Sequence, residues 1–227
     1  MDKNFKIRFL VTITLLLIAS ISIPFFNSLP FKIFYAFFAA MSLIELLSFF
    51  TKKIKPLPTF LALVLSALLI ISPIFIFKCD AIMIILIILG VCGYDVFAYL
   101  GGHALGGKIF KKSRPFPHVS KNKTWEGTFI GIAIALALVA AIIYPNNLLG
   151  YQWFMLCPVL AVFGDLLESF TKRRFCIKDS SEIVVKNKIL DKFEILVGGR
   201  SGHGGFLDRI DSASFTCTVL FILAIFI

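Results

Sequence analysis

The sequence GDLLESFTKRR at residues 164–174, together with GHGGFLDRIDS at residues 202–212, places acidic and basic residues at the ends of two long apolar runs. An ionised carboxylate in hydrocarbon costs roughly 2.5 to 3.5 kcal/mol on insertion scales, so charges clustered beside apolar runs need a compensating partner. Across the chain, 59% of residues are hydrophobic and 16% are charged. The pattern therefore predicts a membrane protein with a charged site at the edge of the bilayer.

The composition argues against a soluble domain. The 227 residues include 26 Phe and have a mean hydropathy of +0.93, so too few polar residues remain to cover a soluble fold. We expect a single all-α, polytopic transmembrane domain over residues 1–227. The five cysteines contain no C-x-x-C pair, which argues against a zinc site or a disulfide framework. We interpret them as apolar filling.

Seven apolar runs are long enough to cross a bilayer about 30 Å thick as helices. They lie at about residues 9–26, 31–50, 58–77, 81–100, 124–143, 151–170 and 206–227. Basic residues precede the first run, as in a signal peptide, but no small-x-small cleavage site follows it. The sequence therefore predicts seven transmembrane helices, with the first one retained.

The basic residues predict the orientation of these helices. If the N-terminus is cytoplasmic, 21 of the 23 Lys and Arg residues fall in inner segments, as expected for cytoplasmic loops, and only Lys32 and Lys78 fall outside them. The net charge of +10 then belongs to the inner face of the membrane protein, and no nucleic-acid partner is needed to explain it. The two cytoplasmic loops, 101–123 and 171–205, are long and charged, so we expect the function to lie on the inner face.

Five carboxylates lie near the inner ends of three predicted spans. Asp95 lies late in the fourth span, and the other four form pairs at i,i+3 spacing, Asp165 with Glu168 and Asp208 with Asp211. Each pair projects from one helical face. Any one of these acids is equally well explained as a helix-end charge paired with a nearby lysine, but repulsion within the whole cluster has to be offset by cations.

The kind of cation follows from the ligand type. Carboxylate oxygens in a chain with three His residues favour Mg²⁺, with one or two ions, because Mg²⁺ prefers hard oxygen ligands and completes its shell with water and substrate phosphates. A nucleoside triphosphate would suit such a site. Glu45 lies at a comparable depth in the second span without a partner motif, and we interpret it as structural.

A glycine-rich segment at 102–108, GHALGGK, matches the spacing of a P-loop. Ile109 stands where a P-loop has Ser or Thr, and the segment follows a membrane span and not a strand, so we interpret it as a turn near the membrane. A second segment at 120–127, SKNKTWEG, puts Lys121 and Lys123 just before a helix N-terminus, where anions are favoured. A basic loop that ends in a helix cap explains this second segment equally well.

A third segment with phosphate-binding character surrounds His203. Gly202, Gly204 and Gly205 lie next to it, and glycines let backbone N–H groups approach a phosphate closely. His203 is therefore a candidate phosphate contact or acid.

Taken together, these motifs resemble the signature of the phosphatidate cytidylyltransferases, also called CDP-diacylglycerol synthases. That signature is similar to S-x-x-K-R, then K-D-S, then H-G-G-x-L-D-R-x-D-S. This chain has SFTKR at 169–173, KDS at 178–180 and HGGFLDRIDS at 203–212. Asp95 with its glycine-rich turn, and the segment 120–127, also resemble family elements, so the likeness covers the chain from about Asp95 onward.

The resemblance implies a polytopic helical enzyme of the inner (plasma) membrane that joins CTP to phosphatidic acid. The products would be CDP-diacylglycerol, at the first committed step of phospholipid synthesis, and pyrophosphate, with a divalent metal bound at the cytoplasmic face. By position, Asp165 and Asp208 match the acidic metal-site residues of the family. The weaker assignments are Asp211 and Asp95 as further metal ligands, Lys172, Arg173, His203, Arg209 and Asp211 as catalytic residues, and Lys121, Lys123, Lys178, Asp179, Ser180, Gly204 and Gly205 as phosphate-binding residues.

Two features depart from the family pattern. Thr171 stands where the family usually has an apolar residue, and residues 182–197 form an insertion between the two halves of the signature. Because loop closure costs only about 0.6 kcal/mol per doubling of length, we expect a surface excursion that leaves the two halves in contact. The alternative is that the insertion separates the halves and abolishes activity.

Two other functions remain open at this point. A CTP-dependent lipid kinase would use the same ligands, and an ion or solute transporter, from a different class, would line a path with its intramembrane acids. The pattern is compatible with either a monomer or a homodimer.

Overall fold

The computed structural model describes residues 29–48, 56–110, 114–117, 119–120, 123–177 and 206–226. These ranges contain helices and no strand, which confirms the predicted all-α class for the part of the chain they cover. The helices are α1 (Leu29–Ser48), α2 (Pro56–Lys78), α3 (Ala81–Leu105), α4 (Trp125–Ile143), α5 (Cys157–Arg174) and α6 (Leu207–Phe226), with a 3₁₀ helix, Leu149–Leu156, leading into α5.

Six helical segments within the described ranges are long and apolar enough to cross a membrane. They coincide with six of the seven predicted spans, and the 3₁₀ helix and α5 together form one of them, Leu149–Arg174. Large apolar side chains such as Phe60 and Phe163 are more than half exposed on the outside of the bundle, where lipid would surround them. The chain is a multi-span membrane protein. The predicted first span, 9–26, and the insertion, 182–197, lie outside the described residues.

Small residues bring α3 and α4 close together. A Cβ atom built on Gly127 would lie 2.5 Å from the Ala98 carbonyl oxygen, and one built on Gly131 would lie 2.7 Å from the Ala98 Cβ. Glycines four residues apart let the backbones of membrane helices approach in this way. As a result α3 and α4 pack extensively against each other, and their ends near Leu105 and Trp125 share one side of the bundle.

A glycine also brings α5 and α6 together. A Cβ atom on Gly164 would lie 2.7 Å from the Ser212 Cα and 3.0 Å from the Asp211 carbonyl oxygen. The two backbones are therefore in direct contact at this level. Asp165, the next residue along α5, is placed beside the second turn of α6 by this contact.

Glu45 connects α1 to the start of α6. Its side chain is fully buried, and Oε2 accepts a hydrogen bond of 2.9 Å from the backbone N–H of Leu207, the first residue of α6. The first N–H groups of a helix have no partner within the helix, and a carboxylate there interacts favourably with the helix dipole. The contact supports the structural interpretation of Glu45.

The two basic residues outside the predicted inner segments have local partners at the other end of the bundle. Lys32 Nζ donates to the carbonyl oxygens of Phe77 at 3.1 Å and Cys79 at 3.0 Å, which cap the end of α2. Lys78 Nζ lies 5.0 Å from the centroid of the Phe221 ring. Both lysines therefore have structural roles at the end of the bundle that lies away from the acids.

All five cysteines are free, and Cys79, Cys157 and Cys217 are buried in the core. Burial, together with the nearby Asp80 carboxylate, raises the pKa of the Cys79 thiol to about 12. This thiol stays protonated at neutral pH and does not react as a nucleophile. The three buried cysteines fit the interpretation as apolar filling, whereas Cys92 and Cys176 are exposed and depart from it.

Candidate active site

Five carboxylates from three helices line one polar pocket of about 240 Å³. It lies where α3 and α5 approach their C-terminal ends and α6 begins. The lining residues are Asp95 from α3, Asp165, Glu168, Ser169 and Lys172 from α5, and Asp208, Asp211 and Ser212 from α6. We call this the acid pocket. The structure thus brings together the carboxylates that the sequence placed at the inner ends of three different spans.

Lys172 joins α5 to α6 inside the acid pocket. Its ammonium lies 2.8 Å from Glu168 Oε1 and donates a hydrogen bond of 2.9 Å to Asp208 Oδ1. Glu168 is 2% exposed and Lys172 is 8% exposed. Charges buried this deeply are tolerated only when they are paired. The single ammonium therefore pairs with one carboxylate on each helix and holds the two motif halves in contact.

A second ammonium enters the pocket region from the loop before α4. Lys123 Nζ lies 2.5 Å from Asp165 Oδ2, and Ser169 Oγ lies 3.3 Å from Asp165 Oδ1, to which it donates. The next residue, Thr124, caps α4, because its Oγ1 accepts from the backbone N–H of Gly127 at 3.1 Å. The segment therefore caps α4, as one of the two interpretations predicts, and it also places a lysine beside the acids. The phosphate contact proposed for Lys123 stays a prediction.

The acid pocket carries more negative than positive charge. Among the described residues, Lys or Arg ion pairs reach Asp165, Glu168 and Asp208, and none reaches Asp95 or Asp211. No three His, Cys, Asp or Glu side chains in the described ranges are arranged to hold a metal by themselves. Mg²⁺ commonly uses one or two carboxylates and completes its shell with water and substrate phosphates. The oxygen donors therefore fit a Mg²⁺ ion that binds together with a phosphate-bearing substrate.

A larger cavity of about 440 Å³ adjoins the acid pocket and shares Asp95 and Asp165 with it. It lies between the end of α3 and the start of α4, and we call it the side cavity. Tyr99 and His103 line its wall, four and eight residues after Asp95 on the same face of α3. Neither residue is among the site residues predicted from the sequence. Steps of four residues forward from Asp95, close to the helical period, lead to both of them on the same face of α3.

Glu126 organises the turn that follows α3. Its Oε1 accepts backbone N–H groups from Gly107 at 2.9 Å, Ile109 at 3.2 Å and Phe110 at 3.0 Å, and the side chain is 2% exposed. Gly107 adopts a φ of 76°, which a side chain would oppose. Successive N–H groups that converge on one anion form a nest. The sequence analysis assigned no role to Glu126.

The glycine-rich segment after α3 behaves as a helix end and a turn. α3 continues to Leu105, and Lys108 Nζ donates to the Ala104 carbonyl oxygen at 2.6 Å. Lys108 therefore caps its own helix. This arrangement agrees with the rejection of a P-loop.

Arg173 and Arg209 do not line the acid pocket in the described part of the chain. Arg173 Nε donates to the Val119 carbonyl oxygen at 3.3 Å, and Nη1 donates to the Ile177 carbonyl oxygen at 3.1 Å. Its guanidinium ties the basic loop to the end of α5. Seven predicted site residues lie outside the described ranges, namely Lys121, Lys178, Asp179, Ser180, His203, Gly204 and Gly205.

Thr171 departs from the family pattern at little cost. The residue is fully buried, and its hydroxyl donates to the Leu167 carbonyl oxygen one turn earlier at 2.8 Å. A buried hydroxyl with this partner carries no large desolvation penalty. The substitution is therefore compatible with the packing of α5.

Comparison with known proteins extends the match beyond these motifs. The family model described as "Cytidylyltransferase family" matches residues 6–227. The chain belongs to this family. Among curated members, the phosphatidate cytidylyltransferase of Helicobacter pylori strain J99 is 34% identical over 151 residues, covering 65% of this chain and 48% of the relative. The phosphatidate cytidylyltransferase of Rickettsia felis is 36% identical over 132 residues, covering 53% of this chain and 51% of the relative.

The cytidylyltransferase family likeness also reaches plants. Phosphatidate cytidylyltransferase 4, chloroplastic, of Arabidopsis thaliana is 36% identical over 132 residues, covering 56% of this chain and 28% of the relative. The chain spans about half the length of the bacterial relatives it matches, and less of the plant protein. No solved structure matches it.

Proposed function

We propose that this member of the cytidylyltransferase family joins CTP to phosphatidic acid, giving CDP-diacylglycerol and pyrophosphate. The observation that carries the proposal is the convergence of five carboxylates from α3, α5 and α6 on one pocket, with two lysine ammonium groups among them. The carboxylates would repel the phosphates of anionic substrates unless cations lay between them. This requirement suits a metal-dependent reaction between two phosphates. Relatives named phosphatidate cytidylyltransferases support the choice of the two substrates.

The proposed reaction is a single displacement at phosphorus. A phosphate oxygen of phosphatidic acid attacks the α-phosphorus of CTP and forms the new P–O bond. The bond from the α-phosphorus to the oxygen that bridges to the β-phosphorus breaks, and its electron pair leaves with pyrophosphate. Positioning and electrostatic stabilisation provide most of the rate enhancement in reactions of this type, so no covalent nucleophile on the protein is required.

The side chains of the pocket have distinct parts in this scheme. Lys123 neutralises Asp165 and lies at the boundary of the two cavities, so its ammonium can contact a phosphate oxygen when substrate enters. Lys172 holds Glu168 and Asp208 in place across the two helices. Ser169 orients Asp165 through the hydrogen bond to Oδ1.

Asp95 and Asp211, with Asp165 and Asp208, would hold Mg²⁺ as one or two ions. Bound there, the metal would neutralise charge on the phosphate oxygens. Asp95 and Asp211 would be the first ligands, since no described Lys or Arg forms an ion pair with either carboxylate.

Labelled CTP provides the direct test. Purified protein is incubated in vesicles containing phosphatidic acid and Mg²⁺, with CTP labelled at the α- or the γ-phosphate. We expect the α label in the lipid product and the γ label in pyrophosphate. Transfer of the γ label to lipid would identify a lipid kinase, and no transfer of either label would contradict both enzymes and leave a transporter.

Matched aspartate variants connect the activity to the acid pocket. Asp208→Asn is expected to abolish CTP- and Mg²⁺-dependent formation of CDP-lipid. Asp80→Asn is the control, because Asp80 caps α3 at the opposite end of the bundle by accepting from the Met83 N–H at 2.8 Å, and Asn caps helices about as well as Asp. Retained activity in Asp208→Asn would remove this residue from the mechanism.

We further propose that the acid pocket faces the cytoplasm from the inner (plasma) membrane. The support is the distribution of basic residues and the local partners of Lys32 and Lys78 at the other end. In a Cys92→Ser background, exposed Cys176 should react with a membrane-impermeant maleimide only after cells are permeabilised, and Asn146→Cys should react in intact cells. Labelling of Cys176 in intact cells would reverse the orientation.

A further inference from the structure

The side cavity contains features that the proposed chemistry of the acid pocket does not use. We propose that it binds the nucleoside part of a pyrimidine nucleotide, with Tyr99 and His103 forming the surface on which the base stacks. The inference rests on the proposed function for one point only, namely that the phosphates of the nucleotide lie in the acid pocket.

Size and continuity favour one ligand that extends across both cavities. The side cavity, at about 440 Å³, falls within the range of about 300 to 1,000 Å³ that is usual for small-molecule sites. The acid pocket, at about 240 Å³, is lined within the described ranges by charged and hydroxyl side chains, with no aromatic ring among them. Asp95 and Asp165 form part of both walls. A nucleotide with its phosphates at these carboxylates would therefore reach the side cavity with its sugar and base.

The aromatic wall of the side cavity suits a planar ring. The Tyr99 and His103 rings are one helical turn apart on α3, with centroids 6.4 Å apart and planes inclined by only 16°. Tyr99 is 40% exposed, so its ring lies at the cavity wall and not in the core. Stacking of a base on an aromatic side chain contributes about 1 to 3 kcal/mol.

Two glycines and two threonines also line the side cavity. Gly102 and Gly127 contribute no side chain to it, and a Cβ atom on Gly102 would lie 3.1 Å from Thr124 Oγ1. Thr124 and Thr128 contribute hydroxyl oxygens to the lining of the cavity. These oxygens retain lone pairs that can accept hydrogen bonds from an amino group, since a hydroxyl oxygen has two acceptor sites.

Phosphatidic acid is a poorer fit to the side cavity. Its headgroup is a phosphate on glycerol and presents no ring to the Tyr99 face. The walls of the side cavity carry apolar as well as polar groups, with Tyr94 and Ala98 beside Asp95 and Lys123, so the missing ring is what disfavours the lipid here. The lipid is therefore expected to reach the acid pocket by another side.

Substitution of Tyr99 tests the assignment. Tyr99→Leu removes the ring and Tyr99→Phe keeps it, and Tyr144→Leu is the matched control because Tyr144 is 58% exposed at the opposite end of α4. Initial rates are measured against CTP at saturating phosphatidic acid, and against phosphatidic acid at saturating CTP. Tyr99→Leu should raise the KM for CTP about fivefold or more, as the loss of one stacking contact predicts. It should leave the KM for phosphatidic acid unchanged, and Tyr99→Phe and Tyr144→Leu should resemble the starting protein.

A rise in the KM for phosphatidic acid alone would assign the side cavity to the lipid and overturn the inference. Unchanged KM values in Tyr99→Leu would also overturn it. If Tyr99→Leu fails to fold in detergent, the same measurements are made on His103→Ala, which removes the second ring from an exposed position.

Binding of CMP separates this inference from the proposed function. CMP carries the base and sugar without a pyrophosphate to release, and its affinity is measured by equilibrium dialysis with purified protein. If no CDP-lipid forms but CMP binds with an affinity that Tyr99→Leu weakens, the proposed function fails and the nucleoside site stands. If CDP-lipid forms and neither Tyr99→Leu nor His103→Ala changes CMP binding or the KM for CTP, the nucleoside site fails and the function stands.

Discussion

Lys172 Nζ lies 2.9 Å from Asp208 Oδ1, although the two residues are 36 positions apart in the chain. The contact joins α5, which carries the first half of the charged motif, to α6, which carries the second half. The two halves of the motif therefore meet. The ion pair also fixes the distance between the carboxylates on the two helices.

Removal of Lys172 should destabilise the protein strongly. Lys172→Met leaves Glu168 and Asp208 without their shared ammonium, and breaking a buried ion pair on one side typically costs about 3 to 5 kcal/mol. The loss is measured as the change in the free energy of unfolding, by thermal or denaturant titration of the protein in detergent. Arg174→Met is the control, because Arg174 is exposed and lies over the Phe170 ring at 4.8 Å, a contact that contributes about 0.5 to 1 kcal/mol at exposed sites.

The double variant Lys172→Met/Glu168→Gln extends this test. Neutralising Glu168 removes one of the two unpaired charges, so the double variant should be more stable than Lys172→Met alone. If the stability changes of the two single substitutions simply add, Lys172 and Glu168 do not interact. That result would contradict the 2.8 Å distance between them.

The contact between α5 and α6 at Gly164 predicts a second effect. Gly164→Ala would place a Cβ atom 2.7 Å from the Ser212 Cα, which forces the helices apart and should cost about 1 to 3 kcal/mol. Because Asp165 and Asp211 adjoin this contact, the rate of CDP-lipid formation should fall by more than the loss of folded protein explains. Gly150→Ala is the matched control, since a Cβ atom at Gly150 would meet nothing within 4 Å. Equal behaviour of the two variants would contradict the close approach of α5 and α6.

Features set by local sequence patterns were predictable, and features set by tertiary contacts were not. Apolar runs locate the membrane helices reliably, because a segment inside a bilayer must satisfy its own backbone hydrogen bonds as a helix. The i,i+3 spacing of the acids likewise fixes which helical face they share. The partners of these side chains depend on tertiary contacts. Glu45 caps α6 across 162 positions, and no local pattern around Glu45 indicates it.

The basic residues illustrate the same limit. From the sequence, Lys172 and Arg173 are both candidate catalytic residues, and Lys123 is a candidate phosphate-binding residue. In the structure the two lysines pair with carboxylates of the acid pocket, whereas Arg173 donates to two backbone carbonyl groups away from it. Which cation reaches the acids depends on side-chain direction at the end of α5.

The three hydrogen bonds to Glu126 predict a local effect on the loop before α4. Glu126→Ala would leave the part-buried N–H groups of Gly107, Ile109 and Phe110 without their charged acceptor, and a hydrogen bond to a charged group contributes about 1.5 to 3 kcal/mol. Glu126→Gln keeps a carbonyl oxygen and should be milder. Limited proteolysis between residues 107 and 123 measures the effect, with faster cleavage expected for Glu126→Ala. If Glu126→Gln is cleaved as fast as Glu126→Ala, the negative charge and not the acceptor geometry holds the turn.

Asp95 should affect activity and stability in opposite directions. No lysine or arginine in the described ranges forms an ion pair with Asp95, and it lines the same pocket as four other carboxylates. Asp95→Asn therefore removes repulsion and should raise the thermal stability of the metal-free protein. The same change should raise the Mg²⁺ concentration needed for half-maximal CDP-lipid formation by about tenfold or more, since loss of even a residue that only supports a metal ligand commonly costs 10- to 100-fold in metal affinity.

Added Mg²⁺ should stabilise the starting protein, because a ligand that binds only the folded state shifts unfolding, and should stabilise Asp95→Asn less. A variant that is less stable without Mg²⁺, yet keeps the original Mg²⁺ dependence, would assign Asp95 to packing and not to the metal site.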